Sequence, residues 1–182
     1  MAVIAYQYRG ELVDQIHRGH IAVTDHTGRI LWKLGDPDRL TFARSSAKPL
    51  QAIPVAESGA LEHYGITPQE LAVICSSHNG EPFHVKAVES ILHKAGLSPD
   101  QLCCGAEYPM YVPAEDALKI AGIPRAPIYC DCSGKHAGML ITARHFGESL
   151  ENYTALEHPV QQRILSVFAE MCGVETLSLI HI

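Results

Sequence analysis

The sequence has little positive charge and no long apolar run. Its 182 residues include 14 lysines and arginines against 20 aspartates and glutamates, which gives a formal net charge of -6. Nucleic acids and anionic membrane surfaces attract basic proteins, so this balance argues against either partner. No apolar stretch approaches the roughly 20 residues that span a bilayer. The first ten residues lack the basic start and apolar centre of a signal peptide. We therefore expect a cytoplasmic protein that binds neither membrane nor nucleic acid.

The sequence also lacks a CxxC zinc knuckle, although it has six cysteines. Cys130 and Cys132 are separated by one residue only. In a cytoplasmic chain, cysteines are more often free, buried or metal-binding than paired in disulfides. Apolar residues make up 47% and charged residues 19% of the chain, as in a soluble globular protein. We predict one domain over residues 1–182, a length that can bury a core.

Strand patterns dominate the first 35 residues, and helix patterns follow. Residues 19–25 and 29–34 are rich in apolar residues, and His26-Thr27-Gly28 between them predicts a hairpin turn. A strand is also expected at residues 126–129. Helices are predicted, from apolar periodicity and capping signals, at 47–57, 67–74, 82–95, 113–121, 133–146 and 159–172. The sequence thus predicts a mixed α+β fold in which N-terminal antiparallel strands precede the helices.

The segment Ser45-Ser46-Ala47-Lys48 stands where the first of these helices begins. Residues three apart share a helix face, so the Lys48 amine could reach the Ser45 hydroxyl. A serine needs a base to become a nucleophile, and a lysine can be that base. Alternatively, Ser45 caps the helix and Lys48 is solvated. The SxxK pattern is short and common, and taken alone it favours this second interpretation.

A second polar cluster, residues 75–84, follows an apolar run and precedes a helix. Loops in such positions often carry functional residues. Ser77 could be a second nucleophile or a proton relay, and His78, Glu81 and His84 can all titrate. A helical zinc motif is excluded because the two histidines are six residues apart and a glycine and a proline interrupt the helix. The alternative is a turn followed by a helix that Glu81 caps.

A third cluster, residues 129–140, lies where the predicted strand gives way to a helix. The spacing of a phosphate-binding loop is missing, so a nucleotide site is rejected. Cys132 and Lys135 are three apart and could share one face at the helix start, where a thiolate is favoured. Cys132 could also be half of a metal site that residues elsewhere complete. Alternatively, Cys132 is an inert buried thiol next to a capping Ser133.

Taken together, these segments are more specific than any one of them. In order and approximate spacing they resemble the Rhizobium-type L-asparaginase family from about residue 8 to about residue 176. The matching motifs are residues 17–19, 44–49, 77–84, 132–139 and 158–161. The resemblance implies a fold similar to that of serine β-lactamases and penicillin-recognising enzymes. It also implies a homodimer that hydrolyses L-asparagine to L-aspartate and ammonia.

The resemblance implies roles for individual residues as well. Ser45 would attack the side-chain amide of asparagine, and Lys48 would take its proton. Ser77 would relay protons or position the substrate. We place His78 and Glu81 in substrate binding. A zinc ion would be held by two cysteines and a lysine, of which Cys132 and Lys135 are present. The other cysteines are taken as structural: Cys75, Cys103, Cys104, Cys130 and Cys172.

The sequence departs from the family pattern in one large way, because roughly the C-terminal half is absent. The second zinc cysteine and the lysine that partners Ser77 are expected beyond Ile182. Asp131 stands where the family has asparagine. The apolar run 177–182 stops without a capping signal and resembles translated sequencing adaptor. We therefore expect the N-terminal half of an asparaginase with a non-native tail. The alternatives are a non-catalytic fragment that binds zinc or asparagine, and a penicillin-recognising acyl-enzyme.

Overall fold

The computed structural model describes residues 1–173. The chain forms two compact units, Met1–Phe42 and a second one that begins at Ala43. The expected non-native tail at 177–182 lies outside the described residues. Over residues 1–173, none of the helices has the length and apolar character needed to cross a membrane.

The first unit consists of two antiparallel hairpins. Strands β1 (Ala2–Arg9) and β2 (Leu12–Gly19) form one, and β3 (Ile21–Thr24) and β4 (Ile30–Leu34) form the other. The turn between β3 and β4 is organised by Asp25, whose carboxylate accepts the backbone N–H groups of Thr27 and Arg29 at 2.9 and 3.1 Å. Short polar side chains commonly stabilise turns in this way. The predicted hairpin is confirmed.

The second unit is helical, which confirms the mixed α+β class with strands first. Between Ala43 and Gly173, three short 3₁₀ segments occupy Arg44–Ala47, Pro99–Gln101 and Pro127–Tyr129. The α-helices of the described residues are α1 (Lys48–Glu57), α2 (Ala60–His63), α3 (Pro68–Ile74), α4 (Pro82–Lys94), α5 (Val112–Ile120), α6 (Ser133–His145) and α7 (Pro159–Cys172).

The helix boundaries follow the local signals in the sequence. Thr67 and Glu70 form the predicted capping box of α3: the Thr67 hydroxyl accepts from the Glu70 N–H, and the Glu70 carboxylate accepts from the Thr67 N–H at 2.6 Å. Helix α7 ends at Gly173, whose φ of 62° lies in the left-handed region that glycine adopts at low cost. These signals act within one turn of the chain, so the sequence alone reveals them.

The prediction of a strand at 126–129 is wrong. Pro127–Tyr129 is a 3₁₀ helix, and Ala126 makes only an isolated bridge with Glu107. Proline has no N–H to donate to a strand ladder, and its fixed φ suits the first turn of a helix. The short helix α2 was not predicted. It begins after Gly59, whose φ is 81°.

Helix α6 is the centre of the second unit. Every residue from Ser133 to Ala143 is buried, and α6 packs against α1, α3, α4 and α7. Two glycines allow α3 to approach closely. A Cβ at Gly138 would lie 2.7 Å from Ile74 Cγ2, and one at Gly134 would collide with the carbonyl oxygen of Val73. This packing brings the start of α6 beside the end of α3, where two of the polar clusters lie.

Candidate functional site

The amine of Lys48 is the point where three segments of the helical unit meet. Lys48 is the first residue of α1 and is only 2% exposed. Its Nζ donates to Ser77 Oγ at 2.6 Å and to the Asp131 carbonyl oxygen at 3.2 Å. The Asp131 carboxylate lies 3.8 Å from the same nitrogen. A buried amine needs such partners, because burial without them is costly. The start of α1 is therefore joined to the loop after α3 and the loop before α6.

Ser45 has a different environment. It is exposed and lies in the 3₁₀ segment Arg44–Ala47, and its carbonyl oxygen accepts the backbone N–H of Lys48. Among residues 1–173, no hydrogen bond joins the Ser45 hydroxyl to the Lys48 amine. Arg44, immediately before it, has a φ of 48°, a left-handed conformation that costs a non-glycine residue about 1–3 kcal/mol. The structure brings Lys48 to Ser77, and the Ser45–Lys48 pair stays a prediction.

Ser77 is held in place by its neighbour in the loop. The backbone N–H of His78 donates to the Asp131 carbonyl oxygen at 3.2 Å. That oxygen also accepts from the Lys48 amine. Ser77 itself is exposed, so its hydroxyl contacts a buried amine on one side and can meet a small molecule on the other. A hydroxyl in that position can receive or pass a proton.

The His78 ring is buried, and both of its nitrogens form hydrogen bonds. Its Nδ1 accepts the Gly80 N–H at 3.1 Å, so its Nε2 carries the proton and donates to Ser133 Oγ at 2.8 Å. Burial, followed by the nearby charges of His84 and Lys48, lowers the pKa of His78 to about 4. The neutral ring thus ties the loop after α3 to the first residue of α6. It orders the loop that carries Ser77.

Glu81 and His84 lie at the start of α4. Glu81 is half-buried and occupies the N-cap position, but its side chain makes no capping hydrogen bond. The alternative role of Glu81 as a side-chain cap is therefore not what the structure shows. The His84 ring stacks on His78 with 5.1 Å between ring centroids. Its buried Nδ1 has no hydrogen-bond partner in the described part of the chain. The substrate-binding role of Glu81 stays a prediction.

Cys132 and Lys135 lie together at the start of α6. Cys132 is the N-cap residue, and Lys135, in the first turn, is 7% exposed. The Cys130 and Cys132 sulfurs and one carboxylate oxygen of Asp131 all lie within 4.8 Å of one another. Thiols, carboxylates and neutral amines are metal-ligating groups. This cluster of donor atoms could hold a metal ion.

The thiols of this cluster influence one another's ionisation. Hydrogen bonding with Cys104 raises the pKa of Cys130 to about 11. Hydrogen bonding with Cys130, and then burial, raises the pKa of Cys132. Burial lowers the pKa of Lys135. In the metal-free chain the two thiols are therefore protonated at neutral pH, and a metal ion would have to displace their protons.

Asp131 stays ionised at neutral pH although it is partly buried. Burial acts to raise its pKa, but hydrogen bonding to Cys132 and the charge of Lys48 outweigh burial and leave the pKa below the usual value. One carboxylate oxygen faces the Cys130 sulfur at 3.7 Å, and the other faces the Lys48 amine at 3.8 Å. The carboxylate thus lies between the thiol cluster and the Lys48–Ser77 pair.

Sequence reasoning missed two residues of this site. The sequence alone predicts a structural role for Cys130 and marks Asp131 only as a departure from a family pattern. The available signal was the run Cys130-Asp131-Cys132 itself, which places three potential ligands next to one another. Side chains that are adjacent in sequence usually point in different directions. The run alone therefore could not show that its three donor atoms lie close together. The motif histidine His158 caps α7 by accepting the Val160 N–H and has a structural role.

Comparisons with known proteins add one finding. The sequence model of the L-asparaginase II family matches residues 5–181 of the chain. This match extends over both units and includes every residue of the candidate site. A comparison with curated proteins gave no match.

Proposed function

The chain belongs to the L-asparaginase II family, and on this basis we propose that it hydrolyses L-asparagine to L-aspartate and ammonia at a Ser–Lys site. Family membership suggests asparagine hydrolysis in general. One observation supports the Ser–Lys site in particular: the buried Lys48 amine lies 2.6 Å from the Ser77 hydroxyl. Such contact between a hydroxyl and a potential base is typical of activated serines.

The proposed chemistry assigns one step to each residue. Ser45 attacks the side-chain carbonyl carbon of asparagine and forms an ester with the aspartyl group. Its proton passes through the Ser77 hydroxyl to the Lys48 amine, which returns it to the departing ammonia. Water then hydrolyses the ester and restores the Ser45 hydroxyl. The contact between Ser77 and Lys48 supports the relay.

The same contact favours a second assignment of the nucleophile. Ser77 touches Lys48 directly, whereas Ser45 does not in the described residues. In this variant of the mechanism, Ser77 attacks and Ser45 positions the substrate. Both assignments use Lys48 as the base and release the same products, so they differ only in which serine carries the aspartyl group.

Substrate binding is proposed for the loop that follows α3. The half-buried Glu81 carboxylate is suited to the α-ammonium group of asparagine, because opposite charges attract strongly where water is partly excluded. Both ring nitrogens of His78 are occupied by Gly80 and Ser133. His78 therefore contributes by ordering the loop rather than by donating to the substrate.

Zinc is proposed as a bound metal. Cys132 and Lys135, three residues apart on the first turn of α6, would both hold it, and the thiol and carboxylate neighbours of Cys132 provide a suitable donor set. A bound zinc ion would stabilise negative charge near the site. Cytoplasmic residence and a homodimer are also proposed. The six cysteines are free, as is usual in a reducing compartment.

Ammonia release from asparagine by the purified chain tests the function. Lys48→Met should lower kcat/KM by roughly 10²- to 10⁴-fold, the usual contribution of a general base. Lys119→Met removes an exposed lysine of α5 and should leave activity unchanged. Equal activity of the two variants would contradict the role of Lys48. Each variant is first checked for folding by its far-UV circular dichroism.

Trapping the aspartyl enzyme distinguishes the two serines. Acid quenching followed by peptide mass spectrometry should place the adduct on Ser45 and find none in Ser45→Ala. An adduct on Ser77 would support the second assignment. Ser166→Ala, an exposed serine of α7, serves as the control. A folded chain that binds asparagine or zinc without turnover would favour the non-catalytic fragment, and β-lactam labelling of Ser45 would favour the penicillin-recognising enzyme.

A further inference from the structure

A cavity of about 330 Å³ lies within the strand unit, at the open end of the β3–β4 hairpin. Ile21 pairs with Leu34 at this end, and the polar side chains of the wall belong to residues just outside the ladder. These side chains are His20, Asp36, Arg39 and Thr41. Ligand pockets in proteins have volumes of roughly 300–1,000 Å³, so this cavity suits a small molecule. Its residues have no part in the proposed hydrolysis.

The backbone determines which nitrogen of His20 carries a proton. The Asp36 N–H donates to His20 Nδ1 at 2.7 Å. A backbone N–H can only donate, so Nδ1 accepts, and the ring carries its single proton on Nε2. Gly35 allows this close approach, because its φ is 78° and a Cβ there would lie 2.7 Å from the same ring nitrogen. The His20 Nε2 atom is therefore a fixed hydrogen-bond donor.

Arg39 places a second donor beside the first. Its Nη1 lies 3.3 Å from His20 Nε2. A guanidinium group has donors only, so these two nitrogens cannot form a hydrogen bond with each other. None of the carboxylates in residues 1–173 forms an ion pair with Arg39. Two adjacent donors are suited to a shared acceptor, and a carboxylate has two oxygens that can each accept from one of them.

Asp36 adds a group of the opposite charge to the same wall. One of its carboxylate oxygens accepts the Asp38 N–H at 3.1 Å, which fixes the turn after Gly35. The carboxylate can still accept further hydrogen bonds from an ammonium group. The wall thus combines two donors, one of them cationic, with one anionic acceptor. A free α-amino acid carries the complementary pair of groups and is small enough for the cavity.

We propose that this cavity binds a free α-amino acid. The carboxylate of the ligand accepts from His20 Nε2 and from the Arg39 guanidinium, and its ammonium group donates to Asp36. One carboxylate shared by two donors accounts for the close approach of the guanidinium to an imidazole N–H. All of these residues belong to the strand unit. The inference does not depend on the hydrolysis of asparagine or on which serine attacks.

Nuclear magnetic resonance titration of the full chain tests the proposal. The ring signals of His20, assigned by their loss in His20→Gln, report on the cavity. Three probes are compared at neutral pH: glycine, acetate, which lacks the ammonium group, and methylamine, which lacks the carboxylate. Glycine should shift the His20 signals to saturation, and methylamine should not shift them. Acetate should bind about fivefold more weakly than glycine, because it loses one exposed ion pair.

Three variants identify the groups that bind. Arg39→Gln should weaken the binding of both glycine and acetate roughly tenfold, because a charged hydrogen-bond donor is lost. Asp36→Asn keeps an oxygen that can accept the Asp38 N–H but removes the charge, so glycine should bind no better than acetate. The matched control is Arg9→Gln, which removes an exposed arginine of β1 outside the cavity. It should bind glycine as the wild-type chain does.

The comparison of the three probes uses the unaltered chain, so it does not depend on whether a variant folds. His20 signals that glycine does not shift would overturn the proposal. Equal affinities of the wild-type chain for glycine and acetate would exclude the role of Asp36 and with it an amino acid as the ligand. A folded Arg39→Gln variant with full affinity for glycine would also contradict the site.

Discussion

The two units of the chain use different means to order their residues. None of residues 1–42 is buried, whereas Val88, Ile91 and Leu140 in the helical unit are fully buried. The hairpins depend on backbone ladders and on turns such as the one around Asp25. The helical unit depends on side chains packed around α6. Backbone ladders and turns contribute less to the free energy of unfolding than the burial of apolar side chains. The same type of substitution should therefore change that free energy by different amounts in the two units.

Truncating a leucine in each unit should give the largest difference in the loss of unfolding free energy. Leu140 is 0% exposed in α6, and Leu31 is 58% exposed in β4. Leu140→Ala should lower the free energy of unfolding by about 2–5 kcal/mol, because it removes apolar contacts and leaves a cavity. Leu31→Ala should change it by less than about 0.5 kcal/mol. Urea denaturation followed by circular dichroism measures both, and similar losses would contradict the contrast.

Truncating a threonine in each unit should give a smaller contrast. Thr67 and Thr27 are both exposed, but only Thr67 caps a helix. Thr67→Ala should cost about 1 kcal/mol, the usual value of an N-cap. Thr27→Ala removes a hydroxyl that donates to the Asp25 carboxylate and should cost less than about 0.5 kcal/mol. The same denaturation experiment compares them, and a larger effect at Thr27 would reverse the interpretation.

A third difference between the two units concerns the carboxyl groups of Glu70 and Asp25, and it affects stability only at low pH. The pKa of Glu70 is lowered because the Lys94 ion pair and the capping hydrogen bonds outweigh its burial. The pKa of Asp25 is lowered chiefly by its hydrogen bond with Thr27. A carboxyl with a lowered folded-state pKa stabilises the protein above its unfolded pKa of about 4–4.5, and this stability is lost as the pH falls.

Glu70→Gln should therefore flatten the decline of unfolding free energy below about pH 4.5. Asp25→Asn should flatten it less, because Asp25 lies in an exposed turn where water screens its interactions. The measurement is urea denaturation at a series of pH values, with the wild-type chain as reference. An equal effect of the two variants would contradict the expectation that the Lys94 and Thr67 interactions of Glu70 stabilise the fold more than the exposed turn of Asp25 does.

Much of the fold could be predicted because the determining signals are local. The Thr67–Glu70 capping box, the turn at residues 26–28 and the glycine at the end of α7 each act within a few residues. The prediction failed at 126–129, where apolar composition indicated a strand and Pro127 imposed a 3₁₀ turn. Helix α2 was missed because four residues provide too little periodicity to recognise.

The sequence alone names several residues of the candidate site, but it does not reveal the contacts between them that the structure shows. Sequence spacing placed Lys48 with Ser45, because residues three apart share a helix face. The structure instead directs the buried Lys48 amine across to Ser77, 29 residues away, and to Asp131. Ser45 lies in a 3₁₀ segment, where its side chain makes no contact of that kind among the described residues. Spacing cannot reveal which distant loop an amine meets.

The sequence by itself determined the order of strands and helices, the helix ends and the polar residues available for chemistry, because these depend on short-range sterics and hydrogen bonds. The tertiary structure decided which of those residues meet. Gly134 and Gly138 allow α3 and α6 to approach, and this packing brings the loops that carry Ser77 and Asp131 to Lys48. Such convergence depends on contacts between residues far apart in sequence, which no local pattern encodes.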